Sequence, residues 1–211
     1  MTRRDVSAKP AVRRSQRERS EATRGELLAA ARKLFASRGF AATSLEAVVS
    51  SCGVTKGALY HHFEGKRHLF RAVFEEEQRR LATVVAEAYT RKADPSWGFI
   101  AGCRAFLGEA LDPTVQQIVF LDAPGVLGWE VMHELETDYG LTLIKDGLSR
   151  LMTAGRIHRR PVDPLAHLLF GALTEGALFV ARSSDREAAR RRVVREFEGL
   201  LKTLVHAPQR G

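Results

Sequence analysis

Two short stretches hold most of the chemistry legible in this chain, Thr43-Ser44 and Thr55-Lys56-Gly57-Ala58. Each places a hydroxyl side chain just ahead of an apolar-patterned run, where its oxygen can cap the first turn of a helix. A helix N-terminus leaves main-chain N–H groups unpaired and carries partial positive charge, which suits a phosphate oxygen. Gly57 and Ala58 are small, so a helix bearing them can approach a surface closely, and the Ala58 methyl matches a thymine methyl. This is binding chemistry. The sequence has no G-x-S-x-G elbow, no phosphate loop, no H-E-x-x-H and no dinucleotide fingerprint, so an enzyme is not expected. His61, His62 and His68 cluster, but adjacent histidines diverge on a helix and no partner cysteine is near. No metal and no cofactor are expected.

The charge distribution points to the same class of partner. The 211 residues hold 33 Lys/Arg and 25 Asp/Glu, a net +8. Residues 1–67 contain 14 basic and 6 acidic residues, so the whole excess lies there and residues 68–211 are neutral. A single-sign field confined to one segment suits a polyanion, nucleic acid before an anionic membrane surface. With 45% apolar residues the chain can bury a core. Two cysteines cannot form a disulfide framework and fit a reducing compartment. No apolar segment follows the basic start, and the most apolar stretch, 165–180, is short for a membrane span. These features predict a soluble cytoplasmic protein with no membrane partner.

The elements that must position these residues are helices. Residues 1–20 are rich in arginine with only Val6 and Val12 as bulky apolar residues, which predicts a disordered basic arm. Leu27, Ala30, Ala31, Leu34 and Phe35 form one stripe, predicting a helix from about Ser20 to Arg38 with Gly39 just past its end. Thr43 and Glu46 fit a capping box before a helix 44–52 that stops at Gly53, and Thr55 caps a helix 56–62. Three helices within about 45 residues, the last two joined by a tight glycine turn, outline a helix-turn-helix. Longer helices follow over about 66–92, 95–111, 113–122 and 126–154. The last two run from 165, behind an Asp163 cap, and from Ser184 or Asp185 to 206. No strand pattern and no repeat emerge. The fold class is all-α, with a basic arm 1–20, a helix-turn-helix domain 21–67 and a second helical domain 68–211.

The residues Gly39-Phe40-Ala41-Ala42-Thr43-Ser44-Leu45, Val48-Val49, Cys52 through Phe63, and Gly65-Lys66 keep a distinctive spacing. Over about 45 residues the chain resembles the tetracycline-repressor-like (TetR) family of transcription regulators. Beyond residue 70 only the helix pattern continues the likeness. Val49 and Cys52 stand where alanine is usual, and Arg67 stands where an acidic residue is common, adding a positive charge near the backbone-contact surface. The resemblance implies a sequence-specific DNA-binding regulator, a repressor by preference, with helix 56–62 in the major groove. Base edges are expected at Thr55, Lys56, Gly57 and Tyr60. Phosphate contacts, which position rather than specify, are expected at Thr43, Ser44, His61 and Lys66. Leu45, Val48, Val54, Leu59 and Phe63 are expected core.

The rest of the chain should supply a dimer interface and an effector site. The helix from 165 to 181 is apolar nearly all round, so it must be buried on more than one side. Gly171, Ala172 and Gly176 permit close helix approach, and the last helix aligns Val193, Phe197, Leu200 and Leu204. With Leu168 and Phe179 these residues are expected to build a four-helix bundle across a two-fold axis. The resemblance likewise implies a dimer made by the last two helices. Such a homodimer would present two recognition helices about 34 Å apart to a palindrome in double-stranded DNA. Phe106, Phe120, Trp129 and Phe170, with Trp97, Phe99, Tyr139 and Phe179, supply aromatic lining for a pocket. His133, His167, Glu175 and Asp122 are polar residues in apolar neighbourhoods that could hydrogen-bond a ligand. The expected effector is an apolar or aromatic small molecule; control by a protein partner or by amount is the alternative.

Overall fold

Apolar stripes at helical spacing become helices throughout the computed structural model, which describes residues 16–204. The expected arm up to residue 15, the last residues from 205, and the side chain of Trp129 lie outside the described residues. The arm's final five residues are already helical: α1 (Gln16–Ala42) begins before the apolar stripe does, and Arg17 pairs with Glu21 one turn later at 3.0 Å. Gly39 takes φ 76°, ψ 167° inside the last turn of α1 and bends the chain so that Phe40 folds back.

The three-helix unit is completed by α2 (Leu45–Cys52) and α3 (Lys56–His62), joined through Gly53 in the left-handed conformation. Its core is Leu27, Leu28, Ala31, Phe35, Val48, Leu59 and Phe63. The long α4 (Lys66–Thr90) adds Leu69, Phe70 and Val73 to that same core. Phe70 meets Phe35 and Phe40 edge-on, with ring centroids 5.2 and 5.1 Å apart. A boundary at residue 67 therefore falls where a continuous helix starts, and the first turns of α4 belong to both units.

The second unit packs α4 against α5 (Pro95–Glu109) and surrounds them with later helices. Asp94 caps α5, accepting from the N–H groups of Ser96 and Trp97, with Pro95 at the first position. Asp112-Pro113 repeats the device at α6 (Pro113–Val115), which runs without a break into a π-helical segment (Gln116–Asp122) and α7 (Ala123–Leu127). The helix expected over 126–154 is in fact interrupted. Gly128, at φ 80°, separates α7 from α8 (Trp129–Glu136), and a π-helical turn (Thr137–Leu141) leads into α9 (Thr142–Thr153).

The chain ends in two packed helices, α10 (Val162–Arg182) and α11 (Arg186–Leu204). Asp163 lies within α10 rather than at its cap, and its carboxylate pairs with Lys145 at 2.6 Å. Asp185 does cap α11, accepting from the N–H of Ala188. By length and composition α10 could cross a membrane, but its Ala166, Leu169, Leu173, Ala177 and Val180 are buried against neighbouring helices.

Candidate nucleic-acid interface and ligand cavity

The second and third helices present one continuous polar edge. Ser44 caps α2, accepting from the Ala47 N–H at 3.1 Å, and Thr55 caps α3, accepting from the Ala58 N–H at 3.2 Å. Leu59 and Phe63 hold the inner face of α3 in the core, which turns Lys56, Gly57, Tyr60 and His61 outward. Tyr60 is 50% exposed although aromatic. Six of the eight expected DNA-contacting residues, Ser44, Thr55, Lys56, Gly57, Tyr60 and His61, are thus exposed on this edge.

The other two are placed differently. Thr43 is buried, and its hydroxyl donates to the Gly39 carbonyl at 2.8 Å, closing the bend at the end of α1. It is not the cap of α2, because the cap falls one residue later at Ser44. The expected capping box is absent for the same reason, and Glu46 reaches across to Lys56 instead, at 2.7 Å. That hydrogen bond holds the Glu46 carboxyl below its ordinary range and raises the Lys56 ammonium. Lys66 is half-buried: its ammonium donates to the Ala41 carbonyl at 3.2 Å and lies 4.2 Å from the centre of the Phe40 ring.

Between α4, α5, the end of α8, α9, α10 and the two π-helical segments lies a cavity of about 180 Å³. Its wall is mainly apolar, with five aromatic rings from Tyr89, Phe99, Phe106, Phe120 and Phe170. Gly140 and Gly147 leave room for two of these rings; a Cβ there would sit 2.7 Å from Phe170 and 2.6 Å from Phe99. Few polar groups interrupt the wall: Gln78, Thr90, Glu136 and Thr174, with Asp146 and Arg150 exposed on α9. Burial pushes the Glu136 carboxyl up to about 7, and the Thr174 hydroxyl is buried without a hydrogen-bond partner. Cys103 also faces the cavity, and burial raises its thiol to about 12, which keeps it protonated and unreactive.

Phe106, Phe120 and Phe170 are therefore cavity residues as the sequence suggests, and Phe99 joins them. His133, His167 and Glu175 are not. His133 and His167 stack on each other, with ring centroids 6.1 Å apart, and Glu175 is exposed on the outer face of α10. Trp97 is exposed beyond the cavity, and the Tyr139 hydroxyl donates to Glu75. The polar residue that sequence reasoning missed is Glu136. It shares a helical stripe with Met132, Leu135 and Tyr139, so a carboxylate on an inward face was the available signal.

The cavity wall is tied directly to the helix-turn-helix unit. Val119 and Phe120 line it, and Asp122, two residues on, accepts the Phe40 N–H at 2.7 Å. Asp122 is thus a link between units rather than a ligand contact. Arg67 donates to the Leu127 carbonyl at 2.9 Å. Arg32 of α1 pairs with the fully buried Glu77, next to the cavity residue Gln78; Glu77 also binds Arg80, which reaches Glu109 at 2.8 Å.

The expected interface residues divide into two groups. Leu168, Gly171, Ala172 and Phe179 lie on one exposed stripe of α10, with Leu200 exposed on α11. Phe197 is buried within the chain, Leu204 is half-buried, and Val193 packs on Gly176, where a Cβ would meet its side chain at 2.8 Å. Gly176 and Val193 therefore join α10 to α11 of the same chain, and Phe197 is buried within it.

This arrangement matches known proteins over both units. Residues 27–73 match the family model "Bacterial regulatory proteins, tetR family", and residues 97–204 match "Tetracyclin repressor-like, C-terminal domain". A TetR-family transcriptional regulator of Pectobacterium atrosepticum superposes with a TM-score of 0.83 at 33% identity, over 93% of this chain and all of that one. The chain belongs to the TetR family. The TetC protein of transposon Tn10 from Escherichia coli is 25% identical over 193 residues, 90% of this chain and 95% of TetC. The fold is also that of RolR, a structure solved in complex with resorcinol, at a TM-score of 0.64 and 17% identity over 91% of this chain and 99% of RolR. As a member of this family, the chain is a DNA-binding transcriptional regulator with a helix-turn-helix unit and a helical C-terminal unit.

Proposed function

We propose that this regulator is a homodimeric, cytoplasmic repressor of sequence-specific DNA whose affinity is set by a small molecule in the cavity. The observation that carries this reading is the Asp122–Phe40 hydrogen bond, because it joins a cavity-lining segment to the end of α1. An occupant that moves Val119 and Phe120 moves the support of the helix-turn-helix. The occupant's differential affinity for the two arrangements then sets the size of the response. The cavity's aromatic lining agrees with the aromatic ligand in the structure of RolR, a fold relative.

In this reading Thr55, Lys56, Gly57 and Tyr60 meet base edges, while Ser44, His61 and Lys66 meet phosphates. The dimer forms through the exposed stripe of Leu168, Gly171, Ala172 and Phe179 with Leu200, whose apolar groups have no cover among the described residues. The test is selection of bound fragments from randomised duplex DNA at near-physiological salt. An enriched palindrome with half-sites about 34 Å apart supports a sequence-specific dimer. Salt-sensitive binding to all fragments without enrichment would show only an electrostatic surface.

A further inference from the structure

The cavity's polar groups are mismatched in a way that specifies the missing partner. Glu136 sits on the wall beside aromatic and aliphatic side chains and has no hydrogen-bond or salt-bridge partner among the described residues. The charged neighbours on that wall are Asp146 and Arg150, both exposed on α9, and the Arg150 guanidinium lies against the Tyr89 ring at 5.8 Å. The wall thus offers one partly buried carboxyl and no buried cation. It also offers a hydroxyl, Thr174 Oγ1, which is buried and unpaired. Five aromatic residues line the space, and an aromatic ring attracts positive charge to its face.

We propose that the cavity takes a lipophilic organic cation, an aryl or alkyl ammonium whose head pairs with Glu136 while its apolar body lies among the phenylalanine rings. This assignment rests on the small-molecule reading above and names its ligand class. Burial raises the Glu136 carboxyl to about 7, so it is ionised above that pH, where an ammonium supplies the counter-charge the fold withholds. A carboxylate ligand of the same shape would face Glu136 as a like charge. A neutral alcohol would gain the hydrogen bond without the charge.

Two matched series test the assignment by calorimetry at pH 8, where Glu136 is ionised: 2-naphthylmethylammonium, 2-naphthalenemethanol and 2-naphthoate, and n-octylammonium, n-octanol and n-octanoate. The expected result is that, in at least one series, the ammonium binds about tenfold or more tightly than its alcohol and carboxylate. Glu136→Gln, which preserves shape, should erase that preference while the alcohol still binds. The comparison within the unaltered protein stands even if the variant folds poorly. Equal or tighter binding of an alcohol or carboxylate, or a preference that survives Glu136→Gln, overturns the cation assignment and leaves a ligand cavity of another class. Failure of all six to bind at millimolar concentration overturns the assignment together with the small-molecule reading beneath it.

Discussion

The Asp122 carboxylate accepts the main-chain N–H of Phe40 at 2.7 Å, across 82 residues of sequence. The bond spans the two units at the bend made by Gly39, where the last turn of α1 leaves an N–H without a helical partner. Asp122→Ala leaves that partly buried donor unpaired. It should lower stability by about 1–2 kcal/mol in urea unfolding. Asp122→Asn, whose amide oxygen can still accept, should recover part of the loss. Equal losses for both variants would show that charge, not the hydrogen bond, matters here.

Glu77 is the buried hub of a second link. It is 1% exposed and serves Arg32 from α1 and Arg80 from its own helix. Removing a partner from a buried ionic network leaves uncompensated charge, a large penalty, though the partly exposed Arg32 can turn to water. Glu77→Ala should therefore cost about 2–3 kcal/mol. A urea midpoint within error of the parent protein would show that the network is solvated and contributes little.

Much of this architecture was legible from spacing alone, and the failures have physical causes. The helix-turn-helix emerged from Leu27, Ala31, Phe35, Val48, Leu59 and Phe63 because a short three-helix unit must bury one stripe from each helix. Thr43 misled because two adjacent hydroxyl residues can each cap a helix, and only the three-dimensional bend at Gly39 decides that Ser44 does so. Gly176, Val193 and Phe197 were expected at a subunit interface because an apolar face does not reveal whether its cover comes from the same chain. Glu136 was missed because a carboxylate on an inward stripe does not show which faces meet across a cavity, and this wall draws on seven segments.

The division of the apolar faces of α10 and α11 yields a paired test. Phe179 is 56% exposed and Phe197 is 5% exposed. If the exposed stripe joins two copies, Phe179→Asp should dissociate the dimer while leaving far-ultraviolet circular dichroism unchanged. Phe197→Asp should instead unfold the C-terminal unit, because it buries a charge in an intrachain core. Light scattering and circular dichroism on both variants separate the two effects. A Phe179→Asp protein with its dimer mass intact would place the interface elsewhere.

Lys56 and Lys66 should behave differently. Lys56 is exposed and bound only to Glu46, whereas Lys66 also anchors the Ala41 carbonyl at the end of α1. Each change to alanine should lower the slope of log affinity against log salt by roughly one unit if the lysine meets phosphate in the complex. Only Lys66→Ala should also reduce stability, by about 0.5–1 kcal/mol, through the lost carbonyl contact. Fluorescence anisotropy across a salt series, with thermal unfolding of the free proteins, reads both. An unchanged slope for Lys66→Ala would confine that residue to holding α1.

Glu136 makes stability depend on pH in a direction opposite to that of most carboxylates here. Asp94, Asp112 and Glu198 are held below their ordinary range, so their contributions are present at neutral pH and vanish in acid. Burial pushes Glu136 up to about 7, so the folded chain keeps a proton that the unfolded chain releases from about 4.5 upward. The relative stability of the folded state is full below that lower value and is lost as pH rises through 7. The loss amounts to about 3–3.5 kcal/mol when complete. Glu136→Gln has no such proton. The difference in stability between variant and parent should therefore be flat below pH 4.5, grow in favour of the variant between pH 5 and 8, and level off above. Urea unfolding of both proteins at fixed ionic strength isolates this difference from the acid-side losses they share. A difference that stays flat across pH 5 to 8 would mean that Glu136 is solvated and ionises as an ordinary carboxyl.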